Sequence, residues 1–356
     1  MHLADEVCQA RGGREDVLTG GIVSSVAAQL PRAERFDLSD EVVLACENLA
    51  RSKPSSLLAA IPLCRLPYPN VWFEWRGGAR PDRQKPNDPP APRRIGCLLE
   101  ASGADLQRCS ATWVWHHPSA GLTVCPLGVI FEWKDPARLD TELRETLDFT
   151  RTAGLPPDWA ASVPRLEARL NDRLNPEYGQ IADALKGMER WQRYASSLSE
   201  VQAAVELGRH SESILSRHAM NFVVAVRQKA TAQMTDDLMR QWQRDLTGEP
   251  VFVQAAVALL NSRNCIEQHR DDLGQLNKAR EKRGKPPLME FVTTRIALSR
   301  VQQHAADSAG VDRRTARQHL VRGHFKVRRS GIYWWSPFLR GDPANVVPRV
   351  QYSVRK

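Results

Sequence analysis

Arg94-Ile-Gly-Cys-Leu-Leu-Glu-Ala101, Ala111-Thr-Trp-Val-Trp-His116 and Leu122-Thr-Val-Cys-Pro-Leu-Gly-Val-Ile-Phe-Glu-Trp133 are three β-prone runs in close succession. Turn signals at Ser102-Gly103 and Ser119-Ala120-Gly121 separate them. Such spacing predicts an antiparallel sheet joined by short turns. Just upstream, Val71-Trp72-Phe73-Glu74-Trp75 reads as a short aromatic strand. In the second run Trp113 and Trp115 share one strand face, while Thr112, Val114 and His116 share the other. Aromatic content of this kind is read first as core, with a stacking platform as the alternative.

Helical patterns flank these runs. Residues 1–60 read as helical; Val42, Val43, Cys46 and Leu49 fall on one face behind the acids Asp40 and Glu41. Residues 76–94 are rich in Gly, Pro and charge and read as a flexible loop. Residues 137–285 read as helical, with units opening at Pro156-Pro157-Asp158, Asn175-Pro176 and Glu249-Pro250. Leu215, Ala219, Phe222, Val223 and Val226 recur at helical spacing, and Val253, Val257 and Leu260 form a stripe. Glu267, Asp271 and Asp272 beside His269 read as a solvated helix face rather than a metal cluster. Beyond Lys285-Pro286-Pro287, Glu290–Leu298 is β-branched and reads as a strand, followed by a polar linker at about 301–316. The expected class is α+β in three zones: helices with an antiparallel sheet over 1–136, a helical region over 137–285, and a basic β segment over 286–356. The last zone has too few strands to stand alone, so the two β regions are expected to share one sheet.

Composition narrows the function classes. The chain has 356 residues, 50 Lys and Arg against 41 Asp and Glu, and no apolar run long enough to span a membrane. Its N-terminus lacks a signal-peptide pattern, so its seven cysteines are expected as free thiols in a cytoplasm. Cys97, Cys109, His116, His117 and Cys125 lie close in sequence but lack the tight pairs of structural zinc sites; they read as buried strand residues. No phosphate loop, GxSxG elbow or HExxH motif occurs, and no cofactor is implied.

Charge is unevenly spread. Residues 275–356 hold 18 basic and 5 acidic residues, or +13, while 1–274 hold 32 and 36, or −4. This is the footprint of a phosphate backbone or another acidic partner. The cations singled out are Lys278, Arg280, Lys282, Arg283, Lys285, Arg322, Lys326, Arg328 and Arg329. His319–Arg328 reads as one strand with Arg322, His324, Lys326 and Arg328 on one face. Arg329-Ser330-Gly331 then turns into Ile332-Tyr333-Trp334-Trp335, so Tyr333, Trp334 and Trp335 are the candidates to stack on bases. His319 and His324 fall on opposite strand faces, which argues against a two-histidine metal site.

The run Leu276-Asn-Lys-Ala-Arg-Glu-Lys-Arg-Gly-Lys-Pro-Pro-Leu288 resembles a segment of uncharacterised bacteriophage and prophage proteins. The similarity continues in order through His319-Leu-Val-Arg-Gly-His-Phe-Lys-Val-Arg328, Gly331-Ile-Tyr-Trp-Trp-Ser-Pro337 and Arg340-Gly341, with Leu66–Pro69 and Trp72–Trp75 upstream. The resemblance implies a mobile-element origin and no particular activity. The leading expectation is a non-enzymatic protein that binds DNA or RNA with little sequence specificity. Its rivals are an assembly component docking an acidic protein surface, and an enzyme whose site is assembled from dispersed residues.

Overall fold

The computed structural model describes residues 2–10, 17–79, 91–118, 121–152, 167, 198–219, 241–243, 245–262, 264–296, 319–321, 324–328, 331–335 and 338–340. Most of the loop expected at 76–94, the helical units opening at 156 and 175, Phe222, Val223 and Val226, and the 301–316 linker lie outside these residues.

An eight-stranded sheet organises the chain. Its strands are β1 (Glu34–Leu38), β2 (Asn70–Arg76), β3 (Arg94–Ser102), β4 (Asp105–His117), β5 (Gly121–Glu132), β6 (Ser211–Leu215), β7 (Ile266–Arg270) and β8 (Val292–Ile296). Their spatial order is β6-β5-β4-β3-β2-β1-β8-β7. The antiparallel ladder expected from sequence for β3, β4 and β5 is present, and it extends to β2 on one side and to β6 on the other. A tight turn with Gly103 at φ +66° joins β3 to β4, a backbone region that glycine enters without penalty. Strand β1 makes the sheet mixed, because it runs parallel to both β2 and β8. Parallel neighbours need a crossover, and α3 (Asp40–Ser52) with α4 (Pro54–Ala60) supplies it between β1 and β2.

The structure corrects several readings of the sequence. The 1–60 region is not wholly helical, since Glu34–Leu38 forms β1. Within the zone read as helical, Ser211–Leu215 and Ile266–Arg270 are the two edge strands of the sheet. Glu267 and His269 therefore stand on a strand rather than a helix. The expected sharing of one sheet holds for β8, which pairs with β1 and β7. It does not extend to the C-terminal hairpin. His319–Arg328 is not one strand but two, β9 (His319–Val321) and β10 (His324–Arg328), in separate ladders. Strand β10 pairs with β11 (Gly331–Trp335), and β9 pairs with β12 (Phe338–Arg340).

Strand alternation sorts side chains onto the two faces of the sheet. Phe36, Phe73, Trp75, Cys97, Leu99, Trp113, Trp115 and Phe131 face one core, as the aromatic strand reading anticipated. Helix α5 (Ala137–Thr152) follows β5 and buries Leu139, Leu143 and Leu147 along one stripe. The core itself is covered by α3, α4, α6 (Leu198–Arg209) and α7 (Glu249–Leu260). Val42, Val43, Cys46 and Leu49 are buried in it along the expected face of α3. On the opposite face Trp72, Leu98, Val114 and Val124 pack under α1 (Leu3–Ala10) and α2 (Val17–Ala27). Among the described residues no helix is long and apolar enough to cross a membrane.

Candidate functional site

The first basic segment folds into a compact projection. Helix α8 (Gly274–Glu281) buries none of its residues. Its following loop is drawn back onto it by two side chains. The Asn277 amide donates from Nδ2 to the Leu288 carbonyl at 2.9 Å and accepts the Leu288 N–H at Oδ1 at 2.8 Å. Arg280 Nε donates to the Pro286 carbonyl at 2.9 Å. Gly284, at φ +67°, makes the reversal, and the Lys285 N–H returns to the Arg280 carbonyl at 2.9 Å. The loop is then fastened to α1 by the Met289 N–H, which donates to Asp5 Oδ1 at 2.9 Å.

Arg280 thus has a structural task, while Lys278, Lys282, Arg283 and Lys285 are exposed. None of these four forms an ion pair among the described residues. The arginines of the sheet and its helices differ. Arg76 pairs with Asp40, Arg94 with Glu74 and Asp37, Arg108 with Glu142, Arg217 with Glu100, and Arg270 with Glu34. These positive charges of the body are neutralised locally, and those on the α8 turn face solvent.

The second basic segment is the β10–β11 hairpin, with β10 beside α4. Lys326 and Arg328 are exposed. The register sets Lys326 opposite Tyr333, His324 opposite Trp335, and Phe325 opposite Trp334. Directly opposed residues of an antiparallel pair share a face. Positions 333 and 335 therefore stand with 324, 326 and 328, and position 334 stands with 325 on the other face. The three aromatic candidates are split two to one. Arg322 and Arg329 lie outside the described residues. The α8 turn is tied to α1 and the hairpin runs beside α4, so the two basic segments are anchored to different helical layers.

Two buried polar clusters sit on the sheet face beneath α1 and α2, and sequence reading singled out neither. In the first, Glu74 is fully buried. Its carboxylate accepts the Leu3 and Ala4 N–H groups at 2.7 and 3.2 Å, capping the first turn of α1, and the Trp72 indole N–H at 3.1 Å. His2 Nδ1 lies 3.3 Å away and its ring stacks on Phe291. The Arg94 guanidinium bridges Glu74 to Asp37, reaching Asp37 Oδ1 at 2.6 Å. Burial alone would raise the Glu74 carboxyl, but the His2 hydrogen bond, the Arg94 charge and the Leu3 amide outweigh it and hold the group low. Burial wins at Asp37, which is raised despite Arg94. The ligand atoms of His2, Asp37 and Glu74 lie within 4.8 Å of one another, a spacing that can hold a metal ion. Here a guanidinium already supplies the positive charge between the two carboxylates.

The second cluster joins three elements. Ser25 Oγ of α2 is 2.7 Å from His218 Nδ1, and His218 Nε2 is 2.8 Å from Glu100 Oε2 of β3. Arg217 pairs with the other Glu100 oxygen. The separations, 193 residues between Ser25 and His218 and 118 between His218 and Glu100, leave no local pattern to read. At Glu74 a signal existed: one carboxylate inside an aromatic strand.

The cysteine and histidine candidates of the sheet do not converge. Cys97, Cys109 and Cys125 are buried in the core on one face, as expected for strand residues, while His116 pairs with Glu6 of α1 on the other. Comparison of the chain with family models, curated proteins and solved structures gives no match.

Proposed function

We propose that the protein binds nucleic acid through sequence-independent contacts to phosphates. The observation that carries this reading is the α8 turn. Lys278, Lys282, Arg283 and Lys285 are exposed there, without ion pairs among the described residues, on a scaffold held by Asn277 and Arg280. A rigid, uncompensated cationic projection attracts a polyanion and releases the polyanion's condensed counterions on binding. Lys326 and Arg328 on the hairpin add charge beside Tyr333, whose ring offers a stacking surface. The likeness of 276–288 and 319–341 to phage and prophage proteins fits a role on mobile-element nucleic acid inside a bacterial cell.

The test is a titration of fluorescent single- and double-stranded DNA and RNA at about 50 and about 200 mM salt, where several phosphate contacts change affinity by orders of magnitude. A variant with Lys278, Lys282, Arg283 and Lys285 all changed to Ala is measured alongside. Each lost contact lowers the slope of log affinity against log salt by about 0.9 on duplex DNA, so the variant is expected to lose up to about 3.6. No binding at the lower salt overturns the proposal and redirects the search to an acidic protein surface.

A further inference from the structure

We infer that Ser25, His218 and Glu100 form a base-activated serine nucleophile for acyl transfer, with an ester as substrate. This rests on a different observation from the nucleic-acid reading and stands or falls separately.

Order and chemistry carry the inference. A carboxylate only accepts hydrogen bonds, so Glu100, 2.8 Å from Nε2, fixes the ring hydrogen on that nitrogen. The lone pair of Nδ1 is then directed at the Ser25 hydroxyl, 2.7 Å away. Nucleophile, base and orienting acid stand in sequence, the relation that defines serine-dependent acyl transfer on unrelated folds. The two ring nitrogens have exchanged roles relative to the serine protease arrangement, and the relay is chemically equivalent. Glu100 and His218 are both buried, their side chains 4% and 2% exposed, while Ser25 is only partly buried.

Fastening α2 to the sheet does not by itself explain the relay, because the 217–219 turn is held independently. Ser216 Oγ is 2.9 Å from Thr112 Oγ1 of β4 and accepts the His218 N–H at 3.3 Å, while the Ser216 N–H donates to the Pro126 carbonyl at 2.9 Å. The imidazole is thereby held between a buried carboxylate and a hydroxyl on a helix. Arg217 pairs with the second Glu100 oxygen, so the carboxylate is held from both sides while it orients the ring.

In the reaction the Ser25 oxygen bonds to the ester carbonyl carbon as its proton passes to His218 Nδ1. The bond to the leaving alcohol breaks, and that alcohol takes the proton from Nδ1. Water then attacks the acyl-serine, giving a proton to Nδ1. The carboxylic acid departs and Ser25 Oγ recovers the proton. No oxidant or metal enters the balance.

The intact chain is treated with a fluorophosphonate, which phosphonylates an activated serine with loss of fluoride, and the modified peptide is located by mass spectrometry. Labelling is expected at Ser25 and absent in Ser25→Ala. His218→Gln is expected to slow it by about 100-fold or more, the usual contribution of a positioned base. Glu100 is the positioning residue; Glu100→Gln is expected to lower kcat for p-nitrophenyl acetate with KM little changed. Hydrolysis of p-nitrophenyl acetate is expected to follow the same order of variants. No labelling, labelling at another serine, or an unaffected His218→Gln rate overturns the inference. Locating the label on the unaltered chain needs no variant to fold.

Discussion

Trp72 lies against Gly96 on the neighbouring strand so closely that a Cβ at position 96 would fall 2.1 Å from the indole ring. The ring can occupy that place only because the side chain is missing. From there its N–H reaches the buried carboxylate of Glu74. One glycine thus positions an aromatic side chain, and that side chain helps satisfy a buried charge.

Gly96→Ala is expected to destabilise the protein by about 3 kcal/mol, combining overpacking of the core with loss of the Trp72 hydrogen bond. Urea denaturation followed by tryptophan fluorescence measures it. A change within about 0.5 kcal/mol, the range of ordinary surface substitutions, would show that the ring is not confined.

Acid sensitivity is expected to divide between Glu74 and Asp37. The Glu74 carboxyl is lower in the folded chain than its ordinary value of 4.5, so its stabilisation is complete above that value and is lost as pH falls through the depressed one. Asp37 has the opposite sign: its folded value is raised above 3.8, so its ionised form opposes folding at neutral pH and protonation relieves this as pH falls. Glu74→Gln is expected to flatten the loss of stability in acid, and Asp37→Asn to steepen it. Urea midpoints measured from neutral pH down through the ordinary carboxylate range, about pH 4, check both signs.

Thiol chemistry reports on the sheet. Six of the seven cysteines are buried and Cys8 is only partly so. Burial pushes the Cys125 and Cys265 thiols up to about 12 and raises Cys64, Cys97 and Cys109 as well, which removes the reactive thiolate at neutral pH. Ellman's reagent is expected to titrate Cys8 alone in the native protein and all seven in denaturant. Rapid modification of several native thiols would contradict the packing of β3, β4 and β5.

How much of this was legible follows from what each residue depends on. Strands β2 to β5 were readable because short apolar runs, aromatic or β-branched in β2, β4 and β5, are separated by turn residues. Strand β1 offers only Phe36 and Leu38 between two helices, too short a pattern to outweigh its surroundings. Strand β7, Ile266-Glu-Gln-His-Arg270, is exposed along most of its length and carries no apolar alternation, because an edge strand over no core needs none. The cations of the α8 turn could be found because they cluster in sequence. At the two buried clusters only the lone carboxylate of Glu74 within an aromatic strand offered a signal; its partners and the members of the His218 cluster could not be found, since chain crossings bring them together.

Asn277 separates the two things a basic projection needs, charge and shape. Its side chain makes two of the hydrogen bonds that close the loop onto α8, at 2.9 and 2.8 Å, and carries no charge itself. Asn277→Ala leaves the number of cations unchanged but removes two of the ties on the segment that presents Lys282, Arg283 and Lys285 and loosens it. Ordering a freed segment on binding costs about 1 to 2 kcal/mol per residue in backbone entropy, so fixing even one or two residues weakens binding about tenfold or more. The expected result is weaker affinity for DNA or RNA with a nearly unchanged salt slope, together with faster trypsin cleavage after Lys282 and Arg283. The charge-removing variant lowers the slope instead. Equal slopes and equal affinities for Asn277→Ala and the unaltered chain would show that the preformed turn contributes nothing to binding.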